Sequence, residues 1–117
     1  MLKLLTNTKI YVASTAIDFR KAINGLIIAV LEKFETPVND GSVYVFYNSS
    51  LDRVKCLFWD KNGFALYQKR LESGKFKFIR RENNNYVITE QQLTWLLAGL
   101  DFTLMDKFKE LDFSNYF

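Results

Sequence analysis

Lysine and arginine side chains are concentrated in the middle of the chain, between Arg53 and Arg81. This stretch has nine Lys or Arg residues and two acidic residues, a net charge of +7, whereas the whole chain of 117 residues carries +3. Residues 82–117 carry a net charge of −4. Because clustered cations attract phosphates and carboxylates, the pattern predicts a face that binds a polyanion, an acidic partner surface, or both.

The residue that most often acts as a general base or a zinc ligand, histidine, is missing. The chain has no histidine and one cysteine, Cys56, which excludes Ser-His and Cys-His systems and a zinc site with nitrogen and sulfur ligands. A two-metal nuclease would need several carboxylates that converge on the metals. The candidate carboxylates each have a local role at a helix cap or in a turn: Asp18, Asp52, Asp60 and Glu72. The sequence therefore predicts neither an enzyme nor a bound cofactor or metal.

The elements that position the basic stretch begin with a strand and a helix. Lys9–Ala13 is rich in strand-forming residues. Apolar residues between Phe19 and Phe34 recur with a helical period, which predicts a helix over about 19–34 with Asp18 as its N-cap. Ser42–Asn48 is apolar on both faces and predicts a central strand.

The stretch from Arg53 to Phe78 predicts three strands joined by two tight turns. Asn62-Gly63 is a strong hairpin signal, and Glu72-Ser73-Gly74 is typical of a second turn. Beyond that turn, phenylalanine alternates with lysine over residues 75–78, as in a strand with one buried and one basic face.

The register of the first hairpin has two alternatives. A two-residue loop at Asn62-Gly63 places Lys55 opposite Arg70, whereas a turn with a bulge at Gly63 places Lys55 opposite Lys69. Both alternatives set like charges against each other, which destabilises a strand pair by a few tenths of a kcal/mol. Such an arrangement favours a sheet that receives an anion.

The C-terminal third predicts one more strand, a short helix and a tail. Tyr86-Val87-Ile88 is the strand, and Thr89 with Gln92 forms a capping box that begins a helix over about 90–99. Trp95 lies off the apolar stripe of this helix, so it either packs on another element or contacts a partner. Residues 103–117 form an acidic, aromatic tail that docks on its own domain or binds a partner.

These elements predict one α+β domain over residues 1–102. Its sheet is mostly antiparallel, has about five strands, and carries the helices 19–34 and 90–99. No apolar run approaches the roughly 20 residues of a membrane span, and the N-terminus is too polar for a secretory signal. The single cysteine suits a cytoplasmic protein.

Several short motifs follow one another in a characteristic order. They are Asp18-Phe19-Arg20-Lys21 with Gly25-Leu26, Val45-Phe46 with Asn48, Asp52-Arg53-Val54-Lys55, Trp59-Asp60 with Gly63-Phe64, and Lys69-Arg70-Leu71-Glu72 with Gly74-Lys75-Phe76. This order resembles the small accessory TnpB proteins of insertion-sequence family 66 transposable elements, which are distinct from the RNA-guided nuclease of that name. The resemblance covers about residues 1–102. It implies a bacterial protein that assists a separate DDE-type transposase, through contact with DNA or with the transposase.

Two functions are compatible with these observations. In the first, a basic sheet binds the phosphates of transposon-end DNA, with little dependence on sequence and a strong dependence on salt. Its expected contacts are Lys55, Lys69, Arg70, Lys75 and Lys77, with Arg20, Lys21 and Arg53 at the rim. In the second, the protein is an adaptor without direct DNA binding, and the basic sheet meets an acidic surface of the transposase. Its expected contacts are Trp95, Phe108, Phe113, Tyr116 and Phe117.

Overall fold

A computed structural model describes residues 8–34, 36–78 and 84–101. These residues form five strands and two helices: β1 (Ile10–Val12), α1 (Ile23–Lys33), β2 (Val43–Tyr47), β3 (Arg53–Asp60), β4 (Gly63–Arg70), β5 (Tyr86–Ile88) and α2 (Glu90–Leu97). The predicted α+β class is confirmed, as are the long helix, the short helix and a sheet of five strands.

The strands form one mixed sheet in the order β4-β3-β2-β1-β5. β1 and β2 are parallel and are connected through α1, whereas the other three neighbouring pairs are antiparallel. All five residues of β2 are buried. The prediction of a central strand over residues 42–48 is therefore confirmed, because only a strand covered on both faces buries consecutive side chains.

The two helices cover opposite faces of the sheet. The ring of Phe34, the residue after α1, packs against Tyr11, Tyr44 and Phe46 at centroid distances of 5.2–5.9 Å. We call the side of the sheet that carries these three aromatic residues the α1 face. On the other side, the Nζ of Lys69 lies 2.6 Å from the carbonyl oxygen of Leu97 in α2, so this side is the α2 face. Successive strand residues alternate between the two faces.

The start of α1 differs from the sequence prediction. The helix begins at Ile23, and its N-cap is Ala22, which makes no side-chain cap hydrogen bond. Asp18 is not the N-cap, because its carboxylate accepts the backbone N–H of Arg20 at 2.9 Å and the guanidinium of the same residue. A short acidic side chain readily bonds the backbone two residues ahead, and here that local turn takes the place of a cap.

The hairpin of β3 and β4 has neither of the two predicted registers. Asp60 pairs with Gly63, so the loop is Lys61-Asn62, and Lys61 has a φ of 57°. Lys55 consequently faces Gln68, and both predicted partners of Lys55 were wrong. The observed register brings Trp59 opposite Phe64, with the rings edge to face at 5.0 Å, and such aromatic cross-strand pairs stabilise a register.

The predicted third strand of the basic stretch is absent, since residues 75–78 pair with no strand of the described chain. Gly74 takes up a positive φ of 82° and turns the chain. The backbone N–H of Phe76 then donates to the carbonyl oxygen of Leu51 at 2.7 Å, and the Phe76 side chain is buried. Alternation of buried and exposed side chains is a property of any extended segment lying on a core, which explains why the sequence pattern resembled a strand.

The capping box of α2 is confirmed. The Thr89 hydroxyl accepts the backbone N–H of Gln92 at 3.1 Å, and the Gln92 side chain accepts the backbone N–H of Thr89 at 2.7 Å. The helix ends where Gly99 adopts a φ of 81°, and Leu100 donates its N–H to the Trp95 carbonyl. This is the Schellman arrangement, which satisfies the last carbonyl groups of a helix.

Candidate nucleic-acid interface

Arg53 and Arg70 lie directly opposite each other on β3 and β4, and both are exposed. They share the α1 face with Lys55, two residues along β3 from Arg53. The expectation that like charges face each other in this hairpin is thus met by a different pair from the one predicted. Because like charges in this position destabilise a strand pair, two exposed guanidinium groups are available to share an anion.

Lys55 does not reach the surface. Its side chain is buried, with 6% of the residue exposed. The ammonium group donates to the carbonyl oxygens of Phe19 and Lys21 at 2.9 and 2.8 Å, and it lies 4.7 Å from the centre of the Phe19 ring. Burial lowers the pKa of Lys55, and the nearby charge of Arg53 lowers it further. Lys55 was predicted to contact phosphate, but its ammonium group is already committed to two backbone carbonyls.

The residues that Lys55 holds carry two more cations to the same face. Arg20 is 91% exposed, and its guanidinium forms a bidentate ion pair with Asp18. The pKa of Asp18 is lowered to about 2, mainly by hydrogen bonds from the Arg20 side chain and to a smaller extent by the one from the Arg20 backbone. Lys21 is exposed as well. Lys55, two residues from Arg53 on β3, therefore joins the segment that carries Arg20 and Lys21 to this face of the sheet. We call Arg20, Lys21, Arg53 and Arg70 the basic cluster.

Carboxylates lie among these cations. Asp18 pairs with Arg20, and Glu72 pairs with Arg70 at 2.9 Å. Asp52 precedes Arg53, and the hydrogen bond from Asn48 lowers its pKa. The cluster therefore has an excess of one positive charge. Exposed ion pairs contribute only about 0–1 kcal/mol each, so a phosphate group can replace a carboxylate as the partner of an arginine at little cost.

Asn48 orients the turn that leads into β3, a role that was not predicted from the sequence. Its side-chain oxygen accepts the backbone N–H groups of Asp52 and Arg53 at 3.1 and 3.0 Å, and its amide donates to the Asp52 carboxylate at 2.6 Å. This side chain fixes the backbone of Arg53. An asparagine at the end of a buried strand, four residues before an aspartate, was the available signal.

Lys69 lies on the α2 face and is half-buried. Its Nζ bonds the carbonyl oxygen of Leu97, in the last turn of α2, at 2.6 Å. A cation stabilises the C-terminal end of a helix, where carbonyl groups have no partner within the helix. Lys69 was predicted to contact phosphate next to Arg70, but the two neighbours project to opposite faces and Lys69 supports α2.

Lys75 and Lys77 are exposed at a second location, on the α2 side of the sheet, where the neighbouring Phe78 stacks on Tyr47. They line a shallow cavity of about 330 Å³. Its other lining residues are Leu51, Phe76, Phe78 and Asp101. We call this cavity the lysine cleft. The predicted basic face is thus divided into two parts, the basic cluster and the lysine cleft.

The residues predicted for partner binding are only partly described. Trp95 is half-buried and packs against the core, whereas Phe108, Phe113, Tyr116 and Phe117 lie outside the described residues. An apolar patch that the sequence analysis missed is on α1, where Ile28 and Leu31 are each 54% exposed. Leu31 belongs to the predicted buried stripe, but it faces away from the sheet.

The described residues show no grouping of three or more acidic or cysteine side chains that could hold a metal ion. Cys56 is buried in β3, and burial raises the pKa of its thiol to about 12, so the sulfur is neither ionised nor accessible at neutral pH. Neither helix of the described chain is long and apolar enough to span a bilayer.

The chain is similar to one protein family and to two individual proteins. A family model described as "IS66 Orf2 like protein" matches residues 8–107, extending past residue 102, where the resemblance of the motifs was expected to end. Two similar proteins come from Sinorhizobium fredii (strain NBRC 101917 / NGR234). Uncharacterized protein y4jC is 36% identical over 95 residues, which cover 81% of each chain. Uncharacterized protein y4hO is 30% identical over 96 residues, covering 82% of this chain and 84% of the relative. No solved structure matches.

Proposed function

Because the chain belongs to the IS66 Orf2-like protein family, whose members are associated with transposition, we propose that it is a non-enzymatic accessory protein that binds the DNA of the element. The basic cluster contacts the phosphates. The observation that carries the proposal is the pairing of Arg53 with Arg70 across β3 and β4, both exposed on one face.

The surroundings of the arginine pair support this proposal. Lys55 tethers the segment that holds Arg20 and Lys21, so four exposed cations come from three separate parts of the chain. Arginine binds phosphate through a planar fork of N–H donors, and guanidinium groups next to one another can share one phosphate or span two. Such contacts position a protein on a duplex without reading base sequence.

The experiment measures binding of the full chain to a labelled duplex carrying the ends of the element, at salt concentrations from 50 to 200 mM. Each neutralised phosphate contributes a slope of roughly −0.9 to the log–log plot of affinity against salt. The double substitution Arg53→Gln and Arg70→Gln should make the slope shallower by roughly 1.8, the contribution of two phosphates. It should also weaken binding at every salt concentration.

Lys9→Gln with Lys33→Gln is the matched control. Both lysines are exposed, and this pair of substitutions removes the same charge at the opposite end of the sheet, where Lys9 precedes β1 and Lys33 ends α1. The control should retain most of the slope. Absence of binding at 50 mM salt, or equal losses in the two double variants, would show that the basic cluster is not a DNA interface.

A second candidate function is contact with the transposase, and the exposed apolar pair on α1 favours it. Ile28 and Leu31 lie three residues apart and so share one side of the helix. Ile28→Ser with Leu31→Ser should abolish co-purification with the transposase and leave DNA binding intact. Deletion of residues 103–117 tests the aromatic tail in the same assay.

A further inference from the structure

We propose that the lysine cleft binds an unpaired nucleotide of a single DNA strand, with its base against Phe78 and its phosphates at Lys75 and Lys77. This inference rests on the proposed function in assuming that the protein binds DNA. The inference goes beyond the proposed function, because it assigns a second site, on the other side of the sheet, to single-stranded DNA.

Phe78 provides an ordered surface for stacking. Its ring lies 4.2 Å from the Tyr47 ring at an interplanar angle of 27°, and Phe76 meets it edge to face at 6.2 Å. Phe78 is only half-buried, and its accessible part lines the cleft. A third aromatic ring added to this pair continues the stack. Bases of any sequence stack on such side chains, but the bases within a duplex already stack on each other.

The two lysines lie beside this ring at regular spacing. Burial alternates over residues 75–78 as in an extended segment, so Lys75 and Lys77 project to the same side about 7 Å apart along the backbone. Phe76, between them, points inward and is held by the hydrogen bond from its N–H to the Leu51 carbonyl. A cation on each side of a buried anchor, followed by an accessible aromatic ring, is the combination by which single-strand-binding surfaces follow a nucleic-acid backbone.

The size and the remaining charge of the cleft limit what it can hold. A volume of about 330 Å³ suits a small group such as one base. Asp101 also lines the cleft, and its carboxylate repels phosphate, which restricts the phosphates to the lysine side.

The test compares binding of the full chain to a labelled single strand and to a duplex of the same sequence. Phe78→Leu preserves an apolar side chain and removes the stacking surface, so it should weaken single-strand binding about tenfold and leave duplex binding unchanged. Phe78→Tyr preserves the ring and should bind like the unmodified chain. Lys75→Gln with Lys77→Gln should reduce the salt dependence of single-strand binding, whereas Arg53→Gln with Arg70→Gln should act mainly on the duplex.

A photo-crosslinking strand carrying 5-iododeoxyuridine supplies a direct readout, and the crosslinked peptide should contain residues 75–78. Equal effects of Phe78→Leu on both DNA forms, or crosslinks only elsewhere, would overturn the inference. A full chain that gives no crosslink at residues 75–78, as expected if residues 102–117 occupy the cleft in place of DNA, would also overturn the inference. If duplex binding through the basic cluster persists in these outcomes, only this inference fails; if no DNA form binds, the proposed function fails as well.

Discussion

The ammonium group of Lys55 satisfies two carbonyl groups of the segment that precedes α1, those of Phe19 and Lys21. The density of charge in the sequence assigned this lysine to a predicted DNA-binding surface together with its neighbours. The position of Lys55 in the middle of a strand that is buried on both sides decides its role instead. A lone buried cation needs polar partners to offset its desolvation, and the backbone provides them here.

Lys55→Met should lower the free energy of unfolding by about 2 kcal/mol or more, because it removes two hydrogen bonds from a charged group and such bonds contribute about 1.5–3 kcal/mol. Methionine retains the apolar length of the side chain, so lost packing contributes little. Urea denaturation measures the change. The exposed Lys9→Met serves as the control and should change stability by less than about 0.5 kcal/mol. Equal stabilities of the two variants would mean that Lys55 does not hold the segment.

The pKa of Asp18 gives a second prediction at this scale. Its ion pair with Arg20 lowers the pKa from 3.8 to about 2 in the folded chain. A depressed carboxylate pKa contributes stability that is present above the unfolded pKa and is lost as the pH falls through the folded one. The contribution is therefore constant above about pH 4 and disappears between pH 4 and pH 2.

Carbon-detected NMR titration of the Asp18 carboxyl group measures this pKa. Arg20→Gln should return it towards 3.8 and remove the corresponding part of the acid dependence of unfolding, whereas Arg53→Gln should leave it near 2. An unchanged titration in Arg20→Gln would place the cause of the shift elsewhere.

At the scale of the elements, the DNA binding proposed for the hairpin of β3 and β4 opposes the stability of the hairpin. Arg53→Glu should raise the free energy of unfolding by about 0.2–1 kcal/mol, because it replaces a like-charged cross-strand pair with an oppositely charged one. The same change should weaken DNA binding by more than Arg53→Gln does. Thermal unfolding and duplex titration of the three proteins measure both effects. A loss of stability in Arg53→Glu would contradict the view that the pair is retained for binding.

Most helices and strands were predicted correctly from the sequence. The start of α1 and the register of the hairpin were predicted wrongly, each for a physical reason. The capping residues Thr89 and Gln92 are local signals, and they positioned α2 correctly. The start of α1 was misplaced because the Asp18 side chain bonds within its own turn, which the sequence pattern does not distinguish from a cap. The hairpin register depends on the contact of Trp59 with Phe64, and that contact competes with the turn preference of Asn62-Gly63.

At the scale of the whole molecule, the distribution of the basic residues could not be read from their density in the sequence. The charge run identified the hairpin as the candidate site, but strand alternation sends Lys69 and Arg70 to opposite faces. Arg20 and Lys21 join the cluster from a distant part of the chain through Lys55, a tertiary contact without a local signal. Prediction therefore found the charged region, and only the fold separates the basic cluster from the lysine cleft.

The position of β1 within the sheet has a consequence for the order of folding. The β3–β4 hairpin needs only local contacts, and hairpins form in about 1–10 μs. β1 lies between β2, which it reaches through the α1 crossover, and β5, which comes from the other end of the described chain. Such long-range pairing is slow, because the entropy of closing the loop is lost before the contacts form. During synthesis, β1 leaves the ribosome before the other described strands, yet it is the last of them to be enclosed, when Tyr86–Ile88 arrives beside it.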